Sequence, residues 1–121
     1  MGNIDIRSLS SDRENYIKQV LEFYRGTPGT PGRVRREDRL LVADLHERGI
    51  ALSTLEAAFI LAAARRCFRP PDARPLAPIR SMYYFIPVIE EILANPLDAA
   101  YIAYLKSKIK KHTADTVSSP R

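Results

Sequence analysis

The sequence predicts an all-α fold, a compact bundle of about five helices around a central alanine-rich helix. Apolar residues recur at helical spacing along most of the chain, and no segment shows the strict alternation of a half-buried strand. The run Ala57–Ala64 is apolar around its whole circumference, which is typical of a helix buried on several sides. With 121 residues, 45% hydrophobic and 27% charged, the chain suits one folded domain. We expect that domain over residues 1–112, followed by a disordered polar tail over residues 113–121.

The first helix is predicted to begin at Ser11, because Ser11 and Glu14 form the signature of a capping box. It should end near Arg25. One stripe of this helix is apolar and should face the core: Ile17, Val20, Leu21 and Tyr24. The segment Gly26–Gly32 holds two prolines and three glycines, so we predict a loop there.

A second helix is predicted from about Arg36 to Arg48, with acidic residues in its first turn and Gly49 ending it. The third helix should run from Thr54 to about Phe68, because Ser53–Glu56 repeats the capping-box pattern.

Residues 69–78 contain four prolines and should form an extended connection. The fourth helix is predicted to begin near residues 79–81, and Pro87 should kink or split it. Asn95 followed by Pro96 predicts the start of a last helix that reaches about Lys111.

The basic residues indicate the class of partner. The net charge is +5 and fourteen of the nineteen basic residues are Arg, the side chain best suited to bidentate phosphate contacts. They form three patches: Arg33, Arg35, Arg36 and Arg39 where the loop meets the second helix; Arg65, Arg66, Arg69, Arg74 and Arg80 around the proline connection; and Lys106, Lys108, Lys110 and Lys111 at the end of the last helix. The pattern predicts a phosphate-backbone interface with nucleic acid, either DNA or RNA.

A structural interpretation competes with this one. Lysines at a helix C-terminus stabilise the helix dipole, and the arginines could pair with Glu37, Asp38 or Asp72. Tyr83 and Tyr84 could offer stacking surfaces near Arg80, or simply be half buried at a helix edge. The second and third helices have helix-turn-helix lengths, but the third is too apolar to read a DNA groove.

No catalytic residues, metal site or cofactor are predicted. His46, His112 and Cys67 lie on separate elements without the spacing of a zinc or redox motif. Glu90 and Glu91 should form a solvated surface pair, because adjacent helical residues do not share a site.

A single cysteine and the lack of an apolar leader predict a cytoplasmic protein, and no run is long enough to span a membrane.

Four segments carry a family resemblance: Asp38–Leu41, Gly49, Leu55–Ala64 and Tyr84–Leu93. Over about residues 36–94 the chain resembles the C-terminal helical module of DnaD-type replication proteins, and it also looks like short bacterial proteins of mobile elements. The resemblance implies a compact helical domain that binds DNA and replication partners. We therefore expect a non-enzymatic nucleic-acid-binding accessory for replication or maintenance of a bacterial mobile element. The alternative is a helical module for protein–protein interaction, including self-association as a homo-oligomer.

Overall fold

The computed structural model describes the backbone of residues 6–70 and 72–118 and the side chains of residues 12–70 and 72–111. Its elements in chain order are α1 (Ile6–Gly26), α2 (Arg36–Glu47), α3 (Leu52–Cys67), a 3₁₀ helix (Met82–Phe85), α4 (Ile86–Ala94) and α5 (Ala99–Ser118). No strand occurs in these ranges. The all-α prediction is therefore confirmed.

The third helix forms the centre of the bundle, as predicted. Leu55 and every residue of Ala57–Ala64 are buried, and α3 packs against α1, the 3₁₀ helix, α4 and α5. The Phe59 ring lies 4.5 Å from that of Phe85, which in turn meets Tyr24 edge-on at 6.0 Å. Because residues 57–64 are buried around the whole circumference, this part of α3 presents no polar face to a DNA groove.

Two predicted helix starts are wrong. The first helix begins at Ile6, so the Ser11 pattern falls inside it; the Ser11 side chain lies outside the described residues. The third helix begins at Leu52, and the Thr54 N–H bonds the carbonyl of Ala51 at 3.1 Å. Since the residues before each serine are themselves compatible with a helix, the helix continues through the motif instead of starting there.

The proline-containing fourth helix is split, as predicted. Ser81 accepts the Tyr83 N–H at 3.2 Å and opens the 3₁₀ helix. Pro87 then lies in the first turn of α4, where its missing N–H leaves no helical hydrogen bond unmade.

The last helix differs from its prediction at both ends. The Asn95 N–H donates to the Glu91 carbonyl at 2.9 Å and completes α4, so α5 begins at Ala99 and not at Pro96. It continues to Ser118. Backbone is thus helical over residues 113–118 of the expected disordered tail, and residues 119–121 lie outside the described part of the chain.

Candidate nucleic-acid interface

The loop between α1 and α2 is held by its own hydrogen bonds. Thr27 donates its hydroxyl to the Phe23 carbonyl at 2.7 Å, and its backbone N–H bonds the Tyr24 carbonyl at 3.1 Å. Gly29 adopts a φ of 95°, a conformation that side chains with a Cβ rarely take. The loop therefore has a defined path out of α1.

Asp38 connects the start of α2 to the proline connection. It is fully buried; its Oδ2 accepts the Arg35 N–H at 2.9 Å and its Oδ1 accepts the Met82 N–H at 2.9 Å. Nearby, the Ile79 N–H bonds the Gly29 carbonyl at 2.8 Å. These bonds fix the backbone on both sides of position 80 beside the loop.

Five exposed arginines surround these anchors, and we call them the loop arginine cluster: Arg33, Arg35, Arg36, Arg39 and Arg80. None of their guanidinium groups forms a hydrogen bond or ion pair with a described residue. Asp38 binds the backbone of Arg35 and not its side chain. The competing interpretation pairs these arginines with Glu37, Asp38 or Asp72. No such ion pair occurs among the described residues.

A groove between α1 and α2 extends the cluster. It has a volume of about 300 Å³, and Ile17, Leu21 and Val34 contribute its apolar surface. Three basic side chains, Lys18, Arg25 and Arg39, also line it, with Glu14 as the one acidic lining residue among those described. Sequence reasoning missed Lys18 and Arg25. Their separation of seven residues, about two helical turns, was the signal that places both on one face.

The second predicted patch is largely engaged in structural contacts. Arg65 forms two hydrogen bonds to Glu91, at 2.9 and 2.6 Å, which raise the pKa of Arg65 and lower that of Glu91. Arg69 donates to the carbonyl of Arg74 at 2.5 Å. Here the structural interpretation describes the arginines better than the functional one, and Glu91 lies on the surface as expected.

Arg66 belongs to the same patch and holds the loop in place. It donates to the Ala77 carbonyl at 3.1 Å, and its guanidinium lies 5.6 Å from the centre of the Tyr84 ring. A Cβ at Gly29 would come within 2.8 Å of this guanidinium, so the side chain packs directly on the loop. Tyr84 therefore has a cation–π contact with Arg66, whereas Tyr83, close to Arg80, is 57% exposed.

The third patch lies at the other border of the loop. Lys106 pairs with Glu56 at 3.1 Å, and both line an apolar groove of about 340 Å³ together with Thr27 and Pro28. Lys108 lies over two aromatic rings, whereas Lys110 and Lys111 are exposed and form no ion pair with a described residue. All three patches thus contain residues that border the loop.

Cys67 and His46, two of the residues considered for chemistry, are both partly buried. Burial raises the pKa of the Cys67 thiol, and the nearby charge of Arg66 opposes this effect only in part. The raised pKa disfavours the nucleophilic thiolate. His46 packs edge-on against Tyr16 at 4.9 Å. Among the described residues, no group of three or more His, Cys, Asp or Glu side chains is arranged to hold a metal ion.

No helix in the described part of the chain has the length and apolarity required to cross a membrane. Comparison with protein-family models, curated proteins and solved structures finds no match to this chain. The resemblance to DnaD-type modules accordingly stays a prediction.

Proposed function

We propose that the chain is a non-enzymatic nucleic-acid-binding accessory protein, which binds the phosphate backbone through the loop arginine cluster and the α1–α2 groove. One observation carries the proposal: five exposed arginines gather around the loop without an acidic partner among the described residues. A paired arginine must give up its carboxylate partner to bind a phosphate, whereas an unpaired one gives up only water.

The charge arrangement favours backbone contact over base reading. The arginines come from a loop, a helix start and the proline connection, and not from one face of a single helix. Phosphate contacts fix the position of a protein on nucleic acid without reading its sequence. We therefore expect weak sequence preference. DNA is favoured over RNA as the partner because the DnaD-type modules that the chain resembles bind DNA.

Salt dependence tests the proposal. If the five arginines each neutralise one phosphate of duplex DNA, they alone should contribute about −4.5 to the slope of the logarithm of the association constant against the logarithm of salt, and Lys18 and Arg25 in the groove should add about −2. Doubling the salt concentration would then weaken binding by at least roughly 20-fold. The measurement is fluorescence anisotropy of a labelled duplex titrated with the protein at several salt concentrations.

Variants localise the effect. Replacing Arg35, Arg36 and Arg39 by Ala should weaken binding similarly for all sequences and flatten the salt slope, while helical content is unchanged. Arg39→Ala and Arg48→Ala form a matched pair, because both remove one exposed arginine from the region of α2 and Arg48 is paired with Glu90 at 3.2 Å. Equal binding by the triple variant and the parent would refute the assigned site.

A second candidate function is a helical protein–protein interaction module, including a homo-oligomer. It is favoured by large apolar side chains on the surface, of which Leu40 on α2 is 59% exposed. An interface of this kind should tolerate added salt, whereas phosphate binding must weaken steeply.

The resemblance over residues 36–94 extends the first candidate to a replication accessory of a bacterial mobile element.

A further inference from the structure

The exposed side of α5 carries a pair of stacked tyrosines. The rings of Tyr101 and Tyr104 have centroids 6.3 Å apart and planes 25° from parallel, and the two residues are 45% and 53% exposed. Neither hydroxyl forms a hydrogen bond with a described residue. The helix docks on α3 through Leu105, which is buried, whereas about half of each tyrosine remains open to solvent.

A lysine and a third ring adjoin the pair. Lys108 Nζ lies 5.7 Å from the centre of the Tyr104 ring and 5.4 Å from that of Phe68, which is 41% exposed at the end of α3. We call Phe68, Tyr101, Tyr104 and Lys108 the α5 platform. The segment Ala99–Lys111 contains four lysines and no acidic residue, so its charge is complementary to an anionic partner.

We propose that the α5 platform stacks the unpaired bases of single-stranded nucleic acid, while the neighbouring lysines bind its phosphates. The proposal rests on the proposed function and specifies its substrate class. In a duplex each base face is covered by the next base pair, so an aromatic platform on the protein surface selects strands whose bases are free. Because stacking uses the face that every base has, this contact is tolerant of sequence.

The combination of flat rings and lysines distinguishes this partner from a protein. An apolar protein partner would be opposed by the positive charge of Lys108, Lys110 and Lys111, which are all exposed. A single strand of nucleic acid suits both the rings and the lysines, because it offers bases for stacking and phosphates for charge contacts along one chain.

The test compares three labelled probes: a 20-nucleotide oligothymidylate, an abasic strand of the same length and a 20-base-pair duplex. We expect the variant with Tyr101→Ala and Tyr104→Ala to bind oligothymidylate at least roughly tenfold more weakly than the parent, since stacking on one aromatic residue accounts for about 5- to 150-fold in affinity. Abasic-strand and duplex binding should be unchanged. The matched variant with Tyr101→Phe and Tyr104→Phe keeps both rings and should bind like the parent, as should Leu76→Ala, which removes an exposed apolar side chain elsewhere.

Tyrosine fluorescence gives a second measurement that does not depend on the alanine variant folding. The chain has six tyrosines and no tryptophan, so base stacking should reduce its emission directly. The Phe variant should lose part of this reduction while keeping its affinity. Unchanged oligothymidylate binding by the Ala variant, or an unchanged fluorescence response in the Phe variant, would overturn the platform. If the parent bound none of the three probes, the proposed function itself would fail.

Discussion

The carboxylate of Asp38 accepts the backbone N–H of Met82 at 2.9 Å, across a sequence separation of 44 residues. Its second oxygen accepts the N–H of Arg35 at 2.9 Å. One buried side chain therefore caps the start of α2 and ties the proline connection to it. The same bonds bring Arg80 to the other members of the loop arginine cluster.

Replacing Asp38 by Ala should destabilise the fold by about 3 kcal/mol, because the buried Met82 N–H and the partly buried Arg35 N–H both lose a charged acceptor. Asp38→Asn should also destabilise, since the amide replaces one acceptor oxygen by a donor that faces an N–H. Urea unfolding followed by circular dichroism measures both. The control is Glu37→Ala, which removes the neighbouring exposed acid. Equal stabilities for Asp38→Ala and this control would show that the carboxylate does not hold the two segments together.

Two buried tyrosines should respond oppositely to loss of their hydroxyl groups. Tyr24 is fully buried and its hydroxyl has no partner among the described residues, whereas Tyr16 donates to the Ile50 carbonyl at 2.8 Å. Tyr24→Phe removes an unsatisfied donor and should stabilise the protein by about 1 kcal/mol, while Tyr16→Phe should destabilise it by about the same amount. Thermal and urea unfolding of the two variants decide this; a loss of stability in Tyr24→Phe would mean that the hydroxyl has a partner.

The sequence predicts the core of this fold better than its helix boundaries. The sequence identified α3 as the central helix because it carries apolar residues on every side. Such a helix is shielded from water only when other helices surround it. Capping boxes failed at Ser11 and Ser53 because a local motif cannot show whether the helix has already begun upstream. The pattern at Asn95 failed for the reverse reason, since that residue completes the preceding helix.

The candidate site was predicted only in part. Basic residues close in sequence were found, but Lys18 and Arg25 were missed because they join Arg39 only when α1 packs on α2. Some of the predicted basic residues form ion pairs with acidic residues that are distant in the sequence. Glu91 pairs with Arg65 and Glu56 with Lys106, and neither pairing is visible in the linear sequence.

Stability should fall at alkaline pH through Tyr16. Burial raises the pKa of Tyr16 from 10.0 to about 12. Above pH 10 the unfolded chain loses this proton first, while the folded chain keeps it up to about pH 12, so the contribution is complete below pH 10 and is lost as pH rises. The total loss over this window is about 2–3 kcal/mol. Urea unfolding of the parent and Tyr16→Phe at pH 8 and pH 11 should reveal about half of this loss, roughly 1.4 kcal/mol, and the variant should show the smaller decrease. An equal decrease in both would assign the alkaline sensitivity to other groups.

The α1–α2 groove should contribute to binding beyond the arginines that are close in sequence. Lys18 and Arg25 line it opposite Arg39, so replacing both by Ala should weaken duplex DNA binding and reduce the salt slope by about 2, one unit for each lost phosphate contact. The matched control, Arg48→Ala with Arg74→Ala, removes the same charge outside the groove and should change the slope less. Adding Arg39→Ala to each double variant measures how strongly the effect of Arg39 depends on Lys18 and Arg25. If the three groove residues hold the same phosphates, the effect of Arg39→Ala should shrink in the Lys18 and Arg25 variant and persist in the control. Equal slopes for the two double variants would show that net charge alone attracts DNA and that the groove has no special part in binding.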